Sequence, residues 1–88
     1  MKTTELTIVN PTGIHARPAS AVCNKAGHYK SKITFINKRT GRTANAKSIM
    51  NLLALGLCKG ATVIINAEGE DEQEAIDGLT ALISSLSE

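Results

Sequence analysis

Apolar and polar positions follow two different periods along the chain, and these periods predict its elements. Alternation of apolar and polar residues is typical of a half-buried strand, whereas apolar residues three and four positions apart are typical of a helix. Alternation predicts strands over residues 4–9, 32–37, 42–46 and 61–67. Helical spacing predicts one helix over 18–26, a short one from Ser48 to just before Gly56, and a last one that buries Ile76, Leu79, Leu82, Ile83 and Leu86.

Turn and cap residues separate these periodic segments. Residues 10–13 favour a turn after the first strand, and Gly27 ends the first helix. Ser48 is the predicted N-cap of the second helix. Asp71 with Glu74 forms a D-x-x-E pattern that predicts a capping box at the start of the third helix.

The resulting element order is β-α-β-β-α-β-α. Three helices on one face of an antiparallel sheet form the two-layer α+β arrangement that suits this order. The chain has 88 residues, and a domain of that size buries roughly 60–65% of its unfolded surface, which is enough for one core. Because no linker, repeat or low-complexity segment interrupts the pattern, we expect a single domain over residues 1–88.

Composition narrows the type of core and the cellular environment. Hydrophobic residues make up 42% of the chain but aromatic residues only 2%, which predicts an aliphatic core. No apolar signal segment or run of membrane-spanning length is present, so we expect a cytoplasmic protein without membrane insertion. Cys23 and Cys58 are far apart and outside a Cys-x-x-Cys motif, so we expect buried free thiols.

The net charge of +2 conceals an uneven distribution. Every lysine and arginine lies within residues 2–59, whereas every acidic residue except Glu5 lies from Glu68 onward. The basic part suggests a docking face for acidic protein partners, while the acidic end is better explained as a solvated helix. Nucleic acid is a weaker candidate, because Tyr29 and Phe35 are the only aromatic residues and cannot form a stacking platform.

The strongest candidate for chemistry is the stretch Gly13-Ile14-His15-Ala16-Arg17-Pro18-Ala19, between the first strand and the first helix. A helix start favours anions because its first N–H groups lack intrahelical partners and its dipole is positive there. Pro18 suits the first helical turn, so a phosphoryl group on His15 would accept hydrogen bonds from the backbone of Ala16 and Arg17. The Arg17 guanidinium would add a charge-assisted contact. Because the same charges disfavour a protonated imidazole, we expect a mostly neutral, nucleophilic His15 at neutral pH.

This stretch, together with Lys47-Ser48-Ile49-Met50, resembles the HPr family of phosphocarrier proteins of the bacterial sugar phosphotransferase system. The resemblance covers essentially the whole chain and implies an open-faced β-sandwich. It also implies that His15 accepts a phosphoryl group from phosphorylated enzyme I and passes it to the IIA domains of sugar permeases. Such a protein is a stoichiometric carrier rather than an enzyme, and we expect a monomer that needs no metal or cofactor. A nitrogen-branch paralogue and a small α+β binding module without phosphoryl chemistry remain the alternatives.

Ser48 has a structural and a regulatory interpretation, and the two are compatible. As an N-cap its hydroxyl would stabilise the second helix by about 0.5–2 kcal/mol. The resemblance adds phosphorylation of Ser48 by HPr kinase/phosphorylase, after which the protein would bind a catabolite-control transcription factor. Because related proteins carry this serine without that kinase, regulation at Ser48 stays open.

The second helix is unusually apolar, since Asn51 is the only polar residue between Ile49 and Leu57 apart from glycine. A short surface helix with so many apolar groups favours a binding role. We therefore expect Met50 and one or both of Leu52 and Leu53 to flank His15 and to contact enzyme I and the IIA domains. The alternative is that all of them belong to the core. Asn51, where glycine is frequent in the family, and a long hairpin over residues 37–42 are departures from the resemblance.

Overall fold

The computed structural model describes residues 1–14 and 16–86. The elements within these residues are β1 (Lys2–Thr7), α1 (Ala16–Ala26), β2 (Lys32–Asn37), β3 (Thr43–Asn45), α2 (Ile49–Ala54), β4 (Thr62–Glu68) and α3 (Glu72–Ser84). The predicted order β-α-β-β-α-β-α is confirmed, and β2 has the predicted bounds. The other strands differ from the predicted ranges by one to two residues at their ends, where periodicity is least informative.

The sheet has four antiparallel strands in the order β1-β4-β2-β3. The last strand in sequence therefore lies between the first two, with Leu6 opposite Val63 in one pair and Phe35 opposite Ile65 in the other. Burial alternates along β2 and β4, because the helices cover one face of the sheet while the other stays accessible. The α+β open-faced sandwich with three helices on one face is confirmed.

The core is aliphatic, as composition predicts, with Phe35 as its one buried aromatic ring among the described residues. Its largest fully buried side chains are Phe35, Ile8, Ile33, Leu52, Ile65 and Leu79. Four of them lie in β2 and β4 or directly after β1, and two lie in α2 and α3. The sheet and the helices therefore contribute to the same apolar cluster. No helix within the described ranges is long and apolar enough to cross a membrane.

The start of α3 differs from the capping box predicted for Asp71 and Glu74. Asp71 occupies the N-cap position, but its side chain makes no capping hydrogen bond within α3. Its carboxylate instead accepts hydrogen bonds from the backbone N–H groups of Lys30 (2.8 Å) and Ser31 (2.9 Å) and from the Ser31 hydroxyl. The predicted capping box is therefore wrong, because donors 40 and 41 residues away in the chain occupy the carboxylate.

The two thiols are free, as predicted, but neither is fully buried. Cys23 is half-buried at the contact between α1 and α2, where its Sγ donates to the carbonyl of Lys47 at 3.2 Å. Cys58 is exposed in the loop between α2 and β4. The prediction of burial is wrong because this loop follows the surface rather than the core.

Candidate functional site

The turn that precedes α1 is closed by Asn10, whose side chain is only 2% exposed. Its Nδ2 donates to the carbonyl of Gly13 at 2.7 Å, and the Gly13 N–H donates back to the carbonyl of Asn10 at 3.1 Å. These reciprocal bonds satisfy backbone groups that would be costly to bury unpaired. From the sequence this asparagine indicates only a turn after the first strand, so its role in building the site was missed.

Gly13 joins this turn to the loop that follows α2. Its φ of 69° lies in the left-handed region, and a Cβ at this position would lie 2.5 Å from the carbonyl oxygen of Leu57 and 2.7 Å from the Cα of Cys58. The next residue, Ile14, donates its N–H to the same Leu57 carbonyl at 2.7 Å. Only glycine fits between two backbones this close, so the loop after α2 sets the path of the chain into α1.

Helix α1 begins at Ala16, two residues earlier than predicted, with Pro18 buried in its first turn. Backbone N–H groups in the first turn of a helix have no intrahelical acceptor. Proline, which has no N–H, therefore loses no hydrogen bond at this position. Ala16 and Arg17 are both exposed. The structure thus places the two predicted phosphoryl-binding residues at an accessible helix start. His15, the predicted phosphoryl acceptor, lies outside the described residues, so its role and its neutral state stay predictions.

The start of α2 is capped as the sequence predicts. Ser48 has an extended backbone, and its hydroxyl oxygen accepts a hydrogen bond from the backbone N–H of Asn51 at 3.3 Å. Its own N–H donates to the carbonyl of Asn45 at 3.0 Å, so the capping contacts come from residues close in sequence. The Ser48 side chain is half-buried.

Helix α2 divides its apolar residues between core and surface. Leu52 is 0% exposed, so the prediction that it is one of the partner contacts is wrong. It shares its face with Leu55 three residues later, and that face turns into the core. Met50 is 76% exposed and Leu53 39% exposed, which leaves both available for contacts with another protein. Ile49, exposed to a similar degree as Leu53, extends this surface and was missed by the sequence analysis.

Helix α1, which begins at Ala16, packs against helix α2, which begins directly after Ser48. Lys47 makes the link on the α2 side, since its carbonyl accepts from Cys23 and its Nζ donates to the carbonyl of Tyr29 at 2.7 Å. These contacts hold the residue before Ser48 against the second half of α1 and against the turn that follows this helix. No group of three His, Cys, Asp or Glu residues within residues 1–14 and 16–86 could hold a metal ion.

Comparison with known proteins agrees with this architecture. A family model described as the phosphotransferase-system HPr component phosphorylation site matches residues 2–85. The phosphocarrier protein HPr of Mycoplasma pneumoniae is 39% identical over 83 residues, which cover 94% of this chain and 93% of the relative. The phosphocarrier protein HPr of Cupriavidus necator is 41% identical over 81 residues, covering 92% and 89%. The crystal structure of an HPr from Thermoanaerobacter tengcongensis matches with a TM-score of 0.91 and 42% identity, covering 97% of this chain and 93% of the other.

A family model that spans nearly the whole chain agrees with relatives near 40% identity and with the observed fold. All three kinds of similarity extend over nearly the whole chain. The chain therefore belongs to the HPr family of phosphocarrier proteins of the bacterial phosphotransferase system.

Proposed function

We propose that this chain carries a phosphoryl group on His15, accepting it from phosphorylated enzyme I and passing it to the IIA domains of sugar permeases. The observation that carries the proposal is the exposed start of α1, directly after position 15. The turn before it is fixed by the close approach of Gly13 to Leu57 and by the hydrogen bond from the Ile14 N–H to the Leu57 carbonyl. Such a start offers N–H donors and a positive dipole to a phosphoryl group.

Phosphoryl transfer requires the carrier to position the phosphoryl group and to stabilise its charge. An imidazole nitrogen of His15 forms a bond to phosphorus as the bond to the donor breaks, and the reverse exchange occurs on the acceptor. Phosphoryl transfer depends mainly on positioning and electrostatic stabilisation, which the backbone of Ala16 and the side chain of Arg17 would supply. The protein is then a stoichiometric cytoplasmic carrier without a cofactor of its own, and its partners provide the remaining catalytic groups.

Intact-mass analysis tests this proposal directly. We expect one added phosphoryl group after incubation with enzyme I, Mg²⁺ and phosphoenolpyruvate, its loss in mild acid, and none in His15→Ala. Failure with sugar-branch enzyme I but success with its nitrogen-branch counterpart would assign the chain to the nitrogen branch. No addition from either active enzyme would leave a small binding module without phosphoryl chemistry.

Arg17 provides a sharper test of the charge contribution. A hydrogen bond to a charged group contributes roughly 1.5–3 kcal/mol, so Arg17→Ala should slow transfer by about 10- to 100-fold. Arg42→Ala, a matched change at an exposed arginine before β3, should leave the rate unchanged. Equal rates for the two variants would contradict a role of Arg17 in transfer.

We further propose that Met50 and Leu53, with Ile49 beside them, form the contact surface for enzyme I and the IIA domains. Their exposure on one short helix supports this, because a soluble protein rarely leaves such a patch without a use. Met50→Ala should raise the KM for the carrier in the enzyme I reaction while leaving the unfolding midpoint unchanged. An unchanged KM for both Met50→Ala and Leu53→Ala would remove this surface from the docking interface.

Regulation at Ser48 is supported by the half-buried N-cap hydroxyl, which a kinase can reach after local opening of the helix start. A phosphate there meets the positive end of α2, so modification would change docking without unfolding the domain. Incubation with ATP and HPr kinase/phosphorylase should add an acid-stable phosphoryl group that Ser48→Ala lacks. If no such group appears, Ser48 acts only as a cap; if it appears, binding to a catabolite-control transcription factor should be measured next.

A further inference from the structure

An open cleft lies between the β2–β3 hairpin and the loop that joins α2 to β4. It has a volume of about 530 Å³, and its walls are formed by Lys38 and Arg39 on the hairpin side and by Cys58, Lys59 and the chain at 60–62 on the other. Neither the phosphoryl-transfer proposal nor the apolar surface of α2 uses this cleft.

The charge of the cleft is positive and only partly compensated. Three cationic residues line the cleft, and they come from two segments that are about twenty residues apart in sequence. Lys38 forms an ion pair with Glu5 at 3.2 Å, and both side chains of this pair are at least half exposed. Arg39 and Lys59 make no ion pair with any residue in the described ranges 1–14 and 16–86. Like charges held together in this way attract an anion.

The walls of the cleft are held in place by hydrogen bonds to backbone groups, two of which come from the side chain of Asn37. The N–H of Lys38 donates to the carbonyl of Thr62 at 3.0 Å, which joins the hairpin to β4. Buried Asn37 accepts from the N–H of Arg39 at 3.1 Å and donates through Nδ2 to the carbonyl of Leu55 at 3.0 Å. The cations therefore project from a pre-formed backbone, and a ligand would not have to order it.

We propose that this cleft binds a compact small molecule that carries two linked phosphate groups, of the pyrophosphate or sugar bisphosphate class. Its volume lies within the roughly 300–1,000 Å³ range of small-ligand sites. Two uncompensated cations and a third shared with Glu5 match a ligand with two or more negative charges better than a single anion. No aromatic ring from the described residues lines the cleft, so the site recognises phosphate rather than a stacked base.

The cleft adjoins the turn before α1 without depending on the function proposed for it. The carbonyl of Leu57, directly before Cys58, accepts the N–H of Ile14 at 2.7 Å. A ligand that contacts Cys58 and Lys59 should therefore change the chemical shift of the Ile14 amide as well as those of the residues that line the cleft. Binding and phosphoryl transfer can be measured separately, so failure of one leaves the other intact.

Titration of the ¹⁵N-labelled protein with inorganic pyrophosphate tests the proposal. We expect saturable amide shifts at Arg39, Lys59 and Ile14, with inorganic phosphate about tenfold weaker, and strong weakening at high salt. Arg39→Gln combined with Lys59→Gln should weaken binding by at least about tenfold. Lys30→Gln, which removes an exposed lysine paired with Glu70 outside the cleft, should bind as the unsubstituted protein does.

Cys58 supplies a second measurement because its exposed thiol lines the cleft while Cys23 lies elsewhere. Pyrophosphate should slow alkylation of Cys58 by iodoacetamide and leave Cys23 unaffected, as read by peptide mass spectrometry. Non-saturable shifts, or equal shifts in the double variant and in Lys30→Gln, would overturn the proposal as a diffuse ionic effect. Protection of Cys58 by an acidic peptide at lower concentration than by pyrophosphate would overturn it in favour of a protein partner.

Discussion

The starts of α1 and α2 both carry a candidate phosphorylation position, but they are built in different ways. The turn before α1 depends on contacts with the loop at Leu57 and Cys58, more than forty residues away in sequence. The cap of α2 depends on Ser48 and its near neighbours Asn45 and Asn51, although Lys47 just before it also bonds to Cys23 and Tyr29. The first start is therefore imposed by the tertiary structure, whereas the cap of the second is local, so a modification can alter it without disturbing the sheet.

Replacement of leucines within α2 should show the largest effect, because this helix is held by its buried face rather than by its start. Leu52→Ala removes a fully buried side chain and should lower the free energy of unfolding by about 2–5 kcal/mol. Leu53→Ala, one position later and 39% exposed, should cost less than about 1 kcal/mol. Urea unfolding followed by circular dichroism measures both, and similar losses would contradict the division of α2 into two faces.

Replacing two glycines should separate the effect of a long-range contact on the free energy of unfolding from the effect of the local backbone conformation. Gly13→Ala should cost about 2–4 kcal/mol, because the left-handed backbone is strained and the added Cβ meets the backbone of Leu57 and Cys58. Gly56 has a similar φ of 71°, but beyond its chain neighbours no atom lies within 4 Å of its added Cβ, so Gly56→Ala should cost only about 1–2 kcal/mol. The difference between the two unfolding free energies measures the contact, and equal values would show that the loop yields at no cost.

The cap of α2 should have a smaller effect. Ser48→Ala should lower the free energy of unfolding by about 0.5–1 kcal/mol, at the lower end for an N-cap because the hydrogen bond from Asn51 is long at 3.3 Å. Ser84→Ala, at the exposed end of α3, is the matched control and should be neutral. Phosphoryl transfer through His15 should be unchanged in Ser48→Ala; a slower transfer would mean that the two helix starts are coupled.

The start of α3 supplies a third case, in which a carboxylate reaches a distant segment and makes stability depend on pH. Hydrogen bonds from the Ser31 hydroxyl and then from the Lys30 N–H hold the pKa of Asp71 below its ordinary value of 3.8. A lowered folded pKa contributes stability that is complete above the ordinary value and is lost as pH falls through the folded one. Ser31→Ala removes the largest cause, so the loss of stability as pH falls below the ordinary pKa should become shallower.

Urea unfolding at a series of pH values measures this effect, with Ser84→Ala again as the control. Glu72 must be considered in the same experiment, because the N–H of Gly69 and then the N-terminus lower its pKa as well. Its contribution should remain in Ser31→Ala. If the free energy of unfolding falls at acidic pH in Ser31→Ala as it does in the unsubstituted protein, the bond between Ser31 and Asp71 does not contribute to the pH dependence of stability.

Most of the elements could be predicted from the sequence because their signals are local. Alternation located β2 to the residue, and helical spacing located the end of α1 to the residue and its start to within two residues. The cap by Ser48 was predictable for the same reason, since donor and acceptor lie three residues apart. The motif before α1 also led to the family, and later similarity over residues 2–85 supports it.

The errors arise where local signals are overridden by partners distant in the chain or are too weak to decide the structure. The capping pattern at Asp71 is a local signal, but Lys30 and Ser31 bind the carboxylate instead. Periodicity over six residues of α2 was too short to decide whether Leu52 or Leu53 faces the core. The exposure of Cys58 followed from the path of a loop, which no side-chain pattern reveals.

The sequence by itself determined the order of the elements, the aliphatic core and the position of the motif at a helix start, because each rests on residues close in the chain. Only the tertiary structure decided the strand order β1-β4-β2-β3, the contact of Gly13 with Leu57 and the convergence of Lys38, Arg39 and Lys59 on one cleft. These features join residues far apart in sequence, and their geometry exists only once the sheet and helices have packed together.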